Sequence, residues 1–263
     1  TTSSAAMSVS SVYAASPALD SVPFLAISQS GRSPDLLAAV AAAKRAGAWV
    51  VALVNDEQSP LAAEADDVLP LHAGPETSVA ATKSFIAAAS AVAQLVAAWT
   101  EDADLAAALD RLPNDLEASW KAEEPPIAQK WRGARSLFVI GRGVGYAAAQ
   151  EAALKLKETC GLHAEAFSAA EVAHGPMTLV DPGFPILAFV QGDASEAGVL
   201  ERLDELRARG ADVVQLGGLP RAHPMLEPIC QVLNFYRAAN ALALARGRDP
   251  DRPPHLSKVT ETL

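Results

Sequence analysis

The chain is short of the features that mark several large classes of protein. It has two cysteines, Cys160 and Cys230, in apolar or helical surroundings with no CxxC spacing, so they read as reduced thiols of a cytoplasmic protein and not as a disulfide framework. It has no run of Lys or Arg, and its formal charge is -10. A nucleic-acid partner is therefore not expected, because binding one means neutralising phosphates in number. The longest apolar stretch, residues 85–99, is broken by Ser90 and Gln94 and falls short of the roughly 20 residues that span a bilayer. It reads as a buried helix, and no membrane association is expected. The given residues do not open on the succession of a signal peptide. The histidines, His72, His163, His174, His223 and His255, show no HxH or HExxH spacing, which gives a metal site no support. What the chain does have is length and apolarity. With 263 residues, half of them hydrophobic, it can bury the cores of two ordinary domains or one large one.

The order of patterns repeats. Residues 23–27 form a short apolar run, which ends in Ser28-Gln29-Ser30-Gly31; an Ala/Leu-rich helical pattern to Arg45 follows, then a second apolar run at 49–54. The same strand, loop, helix, strand order returns at 185–189, with Val190-Gln191-Gly192-Asp193 at the loop, a helix through Arg207 and a strand at 213–216. Each helix ends in a basic residue and a glycine, Arg45-Ala46-Gly47 and Arg209-Gly210, as suits a helix leading into a parallel strand. The predicted fold is α/β, in two three-layer α/β/α halves, each with a mainly parallel sheet and flanking helices. The second copy opens with a further strand and glycine turn, Leu137 to Gly143, and a helix through Glu158. The first copy has no counterpart, so the native protein is expected to begin several tens of residues upstream of Thr1. Pro113, Pro125 and Pro126 in the charged segment 112–135 mark the boundary, with residues 1–118 and 131–263 as the two domains. The Pro-rich, charged tail from Arg246 is expected to cross the surface towards a site.

Ser28-Gln29-Ser30-Gly31-Arg32-Ser33 stands where a strand hands over to a helix, the place where an open α/β sheet takes its ligands. Helix N-terminal amides and the hydroxyls of Ser28, Ser30 and Ser33 can hold a phosphate, and Gly31 allows close approach of the backbone. The same residues would also cap a helix. The second copy decides in favour of the phosphate: there Ser28 becomes Val190, Ser30 becomes Gly192 and Gly31 becomes Asp193. That loop has lost hydroxyls and gained a negative charge. One phosphate site per chain is expected, in the first half. Residues 76–83, Ser/Thr-rich and opening the next long helix, either add groups to that pocket, Thr82 among them, or simply cap the helix.

In the second half, Glu151, Lys155 and Glu158 fall at i, i+4 and i+7 of an otherwise Ala/Leu-rich helix and so share one narrow face. A salt-bridged surface helix gives this pattern too. The carboxylates and imidazoles that follow, His163-Ala164-Glu165 and Glu171-Val172-Ala173-His174-Gly175-Pro176, are of the types needed to move a proton at a carbon beside a carbonyl.

Taken together, Ser28-Gln29-Ser30-Gly31, the run from Glu151 to Glu158, His163-Ala-Glu-Ala, His174-Gly-Pro and the closing His255-Leu-Ser-Lys258-Val-Thr resemble the sugar isomerase (SIS) family. The tandem arrangement is similar to the isomerase domain of glucosamine-6-phosphate synthase and to SIS-type glucosamine-6-phosphate deaminases, over nearly the whole chain. The resemblance implies that Ser28, Gln29, Ser30 and Ser33 hold phosphate, with Val79, Thr82 and Ser257 at the sugar. Glu158 would carry the proton between C1 and C2, with Glu151 and Lys155 orienting it. His174 would open the sugar ring in a neighbouring subunit's site, which implies a homodimer, and Lys258 would approach the open-chain carbonyl. It further implies an amino-sugar phosphate as substrate, with no cofactor and no metal. These residues include no glutaminase domain, so ammonia from glutamine, and with it synthase activity, is not expected of them. The serine that the family's opening glycine-turn unit adds to the phosphate site is absent too. The expected activity is a deaminase-isomerase. The rivals are an aldose-ketose phosphate isomerase, a deglycase, or a non-catalytic sugar-phosphate-binding regulator.

Overall fold

A computed structural model describes residues 19–216 and 223–258 of the chain. They form two compact units, residues 19–91 with 255–258 and the described residues of 92–254. The tail is thus divided: residues 246–254 belong to the second unit and 255–258 to the first.

The first unit holds a three-stranded parallel sheet of β1 (Pro23–Ser28), β2 (Trp49–Val54) and β3 (Asp67–Pro70), in the order β1-β2-β3. Between β1 and β2 lies α1 (Pro34–Arg45), and between β2 and β3 the short α2 (Pro60–Glu64). The strands form where Val, Leu and Ile stand in short runs, since branched side chains fit a pleated surface packed on a core. Val50, Ala52, Val54, Ala26, Val40 and Leu61 make that core. Pro34 sits in the first turn of α1, where a missing N–H costs nothing.

The second unit holds a four-stranded parallel sheet. Its strands β4 (Ser136–Gly141), β5 (His163–Ser168), β6 (Pro185–Phe189) and β7 (Asp212–Leu216) lie in the order β5-β4-β6-β7. The helix α6 (Val144–Cys160) joins β4 to β5 and α7 (Glu196–Ala208) joins β6 to β7, while α8 (Glu227–Ala245) packs on α6. Phe138, Ile140, Ile186, Ala188, Leu203 and Leu206 fill one face of the sheet. The fold class is the one predicted from the repeat. Five of its seven strands fall where they were expected, β2 and β6 to the residue, while β3 and β5 were not expected.

Two local expectations are corrected. Residues 83–100 do form a helix, α3 (Lys83–Thr100), but it is mostly half-buried, with Trp99 71% exposed. Alanine makes the segment apolar without demanding full burial. Pro113 does not interrupt the chain: α4 (Ala103–Lys121) runs straight through it. The cost of the lost backbone bond is offset by burial of Leu105, Ala108 and Leu112 and by tertiary bonds. The Ser119 hydroxyl donates to the Cys230 carbonyl at 2.5 Å, and Asn234 Nδ2 to the Ser119 carbonyl at 3.3 Å. The short α5 (Ile127–Trp131) then leads into β4. No helix among the described residues is long and apolar enough to cross a membrane. Cys160 and Cys230 are free and buried, and burial pushes both thiols up, Cys230 to about 12.

Candidate active site

In the first unit, β1 ends at Ser28 and α1 begins at Pro34, and the loop between them is shaped by its own hydroxyls. Ser28 Oγ accepts the amide of Gly31 at 3.0 Å, and Ser30 Oγ accepts that of Arg32 at 3.4 Å. Gly31 has φ +64, and a Cβ there would lie 2.2 Å from Ser59 Oγ. No larger residue fits, on grounds of space and of backbone conformation alike. Arg32 is held by Asp56 at 2.8 Å. Ser33 occupies the N-cap of α1 in an extended conformation, but its hydroxyl makes no capping bond. Of the three serines, Ser33 alone leaves its hydroxyl unspent on this turn.

The matching loop of the second unit has its donors filled by the protein. Asp193 accepts the amide and the hydroxyl of Ser195 at 2.8 and 2.6 Å, and Gln191 Nε2 at 3.0 Å. Glu227 takes the amide of Gly192 at 2.8 Å. Carboxylates here occupy the position an incoming anion would need, and their charge would repel it.

Ahead of α3, Glu76 folds back over the helix N-terminus. One carboxylate oxygen accepts the amides of Thr82 and Lys83, both at 2.7 Å, and the Thr82 hydroxyl at 3.3 Å; the other accepts the Ser84 hydroxyl. Burial raises the pKa of this carboxyl, but those bonds and the nearby charge of Lys258 outweigh it and leave the value lowered. The amide and hydroxyl of Thr82 are thus committed to Glu76. Val79 is half-buried in the preceding turn, and Lys258 Nζ donates to the Ser78 carbonyl at 2.6 Å. The tail lysine is docked in its own unit, while Ser257 beside it is exposed.

In the second unit, α6 carries the expected charged face, and that face points inward. Glu151 and Lys155 are each 4% exposed, beside Ala148, Ala152 and Leu156. Lys155 Nζ is paired with Glu158 and lies 3.7 Å from Glu151 Oε1. From α8, the Tyr236 hydroxyl donates to Glu151 Oε1 at 2.7 Å. A surface helix would have put these charges in water; here an acid, a base and a second acid run along a buried stripe, ending in the more accessible Glu158. Burial raises the Glu151 carboxyl to about 7, Glu158 adds to the rise, and Lys155 and Tyr236 oppose it. A carboxyl that titrates near neutrality can hold or release a proton under working conditions.

His174 follows the 3₁₀ turn Glu171–Ala173 and is exposed, with only its backbone amide bonded, to the Glu171 carbonyl at 2.9 Å. No hydrogen bond of its imidazole is found among the described residues, so it does not serve as a satisfied structural histidine here. The described residues contain no cluster of three His, Cys, Asp or Glu fit to hold a metal.

Two residues escaped the sequence reading. Tyr236 lies 85 positions from Glu151 in an apolar helix, and nothing local marks it. Glu76 stands six residues before its helix-capping target, outside the S/T-x-x-E spacing that would have signalled a cap.

Comparison with known proteins bears on the family and the fold. The SIS domain family model matches residues 11–98 and 131–220. Glutamine–fructose-6-phosphate aminotransferase (isomerizing) of Thermus thermophilus is 36% identical, over 89% of this chain and 43% of that protein. The chain spans less than half the length of such curated relatives. Among solved structures, a candidate phosphosugar isomerase from Silicibacter pomeroyi DSS-3 is 45% identical with a TM-score of 0.87, covering 93% of this chain and 78% of that one. The C-terminal domain of glucosamine-fructose-6-phosphate aminotransferase from Francisella tularensis is 27% identical with a TM-score of 0.78, over 93% and 77%. Glycine-turned parallel sheets, a serine loop on one copy only and two matched segments lead to one conclusion: the chain belongs to the SIS domain family.

Proposed function

We propose that the protein is an amino-sugar phosphate deaminase-isomerase that converts glucosamine-6-phosphate and water to fructose-6-phosphate and ammonia. The observation that carries this reading is the buried Glu151–Lys155–Glu158 stripe. Binding a phosphate requires no such arrangement, whereas C1–C2 proton transfer requires a carboxylate of tuned basicity. The names of the similar proteins, aminotransferases that isomerise a sugar phosphate and a phosphosugar isomerase, support the substrate class.

In this proposal the loop of Ser28, Gln29, Ser30 and Ser33 anchors the phosphate, with Val79, Thr82 and Ser257 towards the sugar. His174 promotes ring opening. Glu158 takes the proton from C2, leaving an enolamine, and returns it to C1; water then hydrolyses the resulting C2 imine to a ketone and ammonia. Lys155 and Glu151 set the orientation and charge of Glu158. Lys258 donates to the oxygen at C1 as charge develops on it, a role open to preorganised donors. We take residues 1–118 and 131–263 as the two SIS domains, and the active form as a cytoplasmic homodimer in which each site takes the partner's His174.

The test is incubation with glucosamine-6-phosphate in EDTA, with and without glutamine, measuring ammonia and fructose-6-phosphate together. Equal release of both without glutamine is the expected result, and Glu158→Gln should lower it about 10²-fold or more. Fructose-6-phosphate formed only from an aldose phosphate, with no ammonia, would replace the deaminase by an aldose-ketose isomerase. Near-native turnover in Glu158→Gln would remove Glu158 from the proton transfer.

A further inference from the structure

The second unit has a cleft of about 480 Å³ at the end of the sheet opposite the Gly141–Gly143 turn. Its eight lining residues come from two segments: residues 132–135, just before β4, and 245–248, at the end of α8. Four of the eight are arginines, Arg132, Arg135, Arg246 and Arg248, and none is acidic. In a chain with 31 Asp and Glu against 21 Lys and Arg, that concentration of one sign is a local reversal of the overall field.

One of these guanidinium groups is bonded in place, and a second packs against the backbone. Arg246 donates from Nε to the Cys160 carbonyl at 2.9 Å, and from Nη1 to the carbonyls of Arg132 and Ala134 at 2.7 and 3.0 Å. The Arg248 guanidinium packs against Gly161, where a Cβ would come within 2.1 Å of its Cζ. The left-handed backbone of Gly161, φ +55, favours glycine, and a side chain there would displace this guanidinium. Arg132 and Arg135 are exposed, facing the same space. The ion pairs of the described residues include none of the four. The nearby Lys130, by contrast, is neutralised by Asp212.

Four guanidinium groups around a lining without carboxylates, one of them bonded in place with its Nη2 donors left over, are a receptor for phosphate oxygens. Two arginines on each of two segments, around a space much larger than one phosphate, fit an anion with more than one. We propose that this cleft binds a small molecule carrying a di- or triphosphate group, as a site separate from the serine loop. Through Arg246 and Arg248 its wall rests on Cys160 and Gly161, the end of the helix that carries Glu151, Lys155 and Glu158. A ligand there would therefore bear on that helix. This inference does not depend on the proposed reaction.

The test is calorimetric titration of the full chain with inorganic pyrophosphate, and in a second arm with ATP, at low ionic strength. Arg132→Ala/Arg135→Ala, both surface changes, should weaken binding about tenfold or more, the scale of hydrogen bonds to charged groups. Ser30→Ala in the serine loop and the charge-matched control Arg45→Ala/Arg209→Ala should leave it unchanged. Preference for ATP over pyrophosphate would identify a nucleotide, and equal affinity the diphosphate alone; either supports the site. Absence of binding at millimolar pyrophosphate and ATP would overturn it. So would equal weakening by the Arg45/Arg209 control, or loss of binding in Ser30→Ala.

Discussion

The hydroxyl of Tyr236 donates to Glu151 Oε1 at 2.7 Å, tying α8 to the charged stripe of α6. Glu151 is 4% exposed, so this bond is one of the few means of stabilising its ionised form. Tyr236→Phe should raise the Glu151 pKa above its value of about 7 and cost about 1–3 kcal/mol of folding stability, the scale of a hydrogen bond to a charged group. Urea unfolding measures the second effect and the pH profile of turnover the first. An unchanged profile would show that Glu151 does not govern activity through its charge.

Glu151 also ties stability to pH. Its folded value of about 7 lies above the ordinary 4.5, so the folded state holds a proton that the unfolded chain releases. The stability this group contributes is full below about pH 4.5 and is lost as the pH rises to about 7. Glu151→Gln removes the dependence: relative to the native chain it should gain stability across that window, by up to about 3 kcal/mol. Urea unfolding at about pH 5 and pH 8 checks this. Parallel curves for the two proteins would place the titration elsewhere.

Ser33 separates ligand binding from helix capping. A working serine cap is worth about 1 kcal/mol, but the Ser33 hydroxyl makes no such bond. Ser33→Ala should therefore change stability by less than about 0.5 kcal/mol. It should weaken sugar-phosphate binding about tenfold through a lost hydrogen bond to a charged group. Denaturation and calorimetry on one preparation read the two numbers. A large stability loss with unchanged affinity would make Ser33 a structural residue.

Glu76 carries the opposite pH dependence. Its pKa is lowered in the fold although burial works against it, so its contribution is present above about pH 4.5 and is lost as the pH falls. Glu76→Gln places an amide against the donors of Thr82, Lys83 and Ser84. The variant should melt lower than the native chain at about pH 7, and the gap should narrow in acid. Thermal unfolding at the two pH values tests it; a gap independent of pH would mean that the carboxylate charge is not what holds the turn.

Much of this protein could be read locally. The apolar runs that became β2 and β6, the helices that ended near Arg45 and Arg207, and the loss of hydroxyls from the second loop all depend on spacing of 2 or 3.6 residues and on turn chemistry, which a sequence displays directly. The stripe on α6 was equally visible as Glu151, Lys155 and Glu158 on one face. Which way that face turns was not, because a surface ion-pair ladder has the same spacing; only the packing of α8 against α6 decided that the charges are buried and so raised the Glu151 carboxyl. The same holds for Pro113, whose break in the pattern was overridden by burial of α4. Glu76, Tyr236 and the arginine cleft depend on contacts across six, 85 and more than a hundred residues. Sequence by itself determined the order of elements and the kinds of side chain available. The tertiary structure decided which carboxylates lose their water and which donors are left unspent, since both depend on what packs around a group.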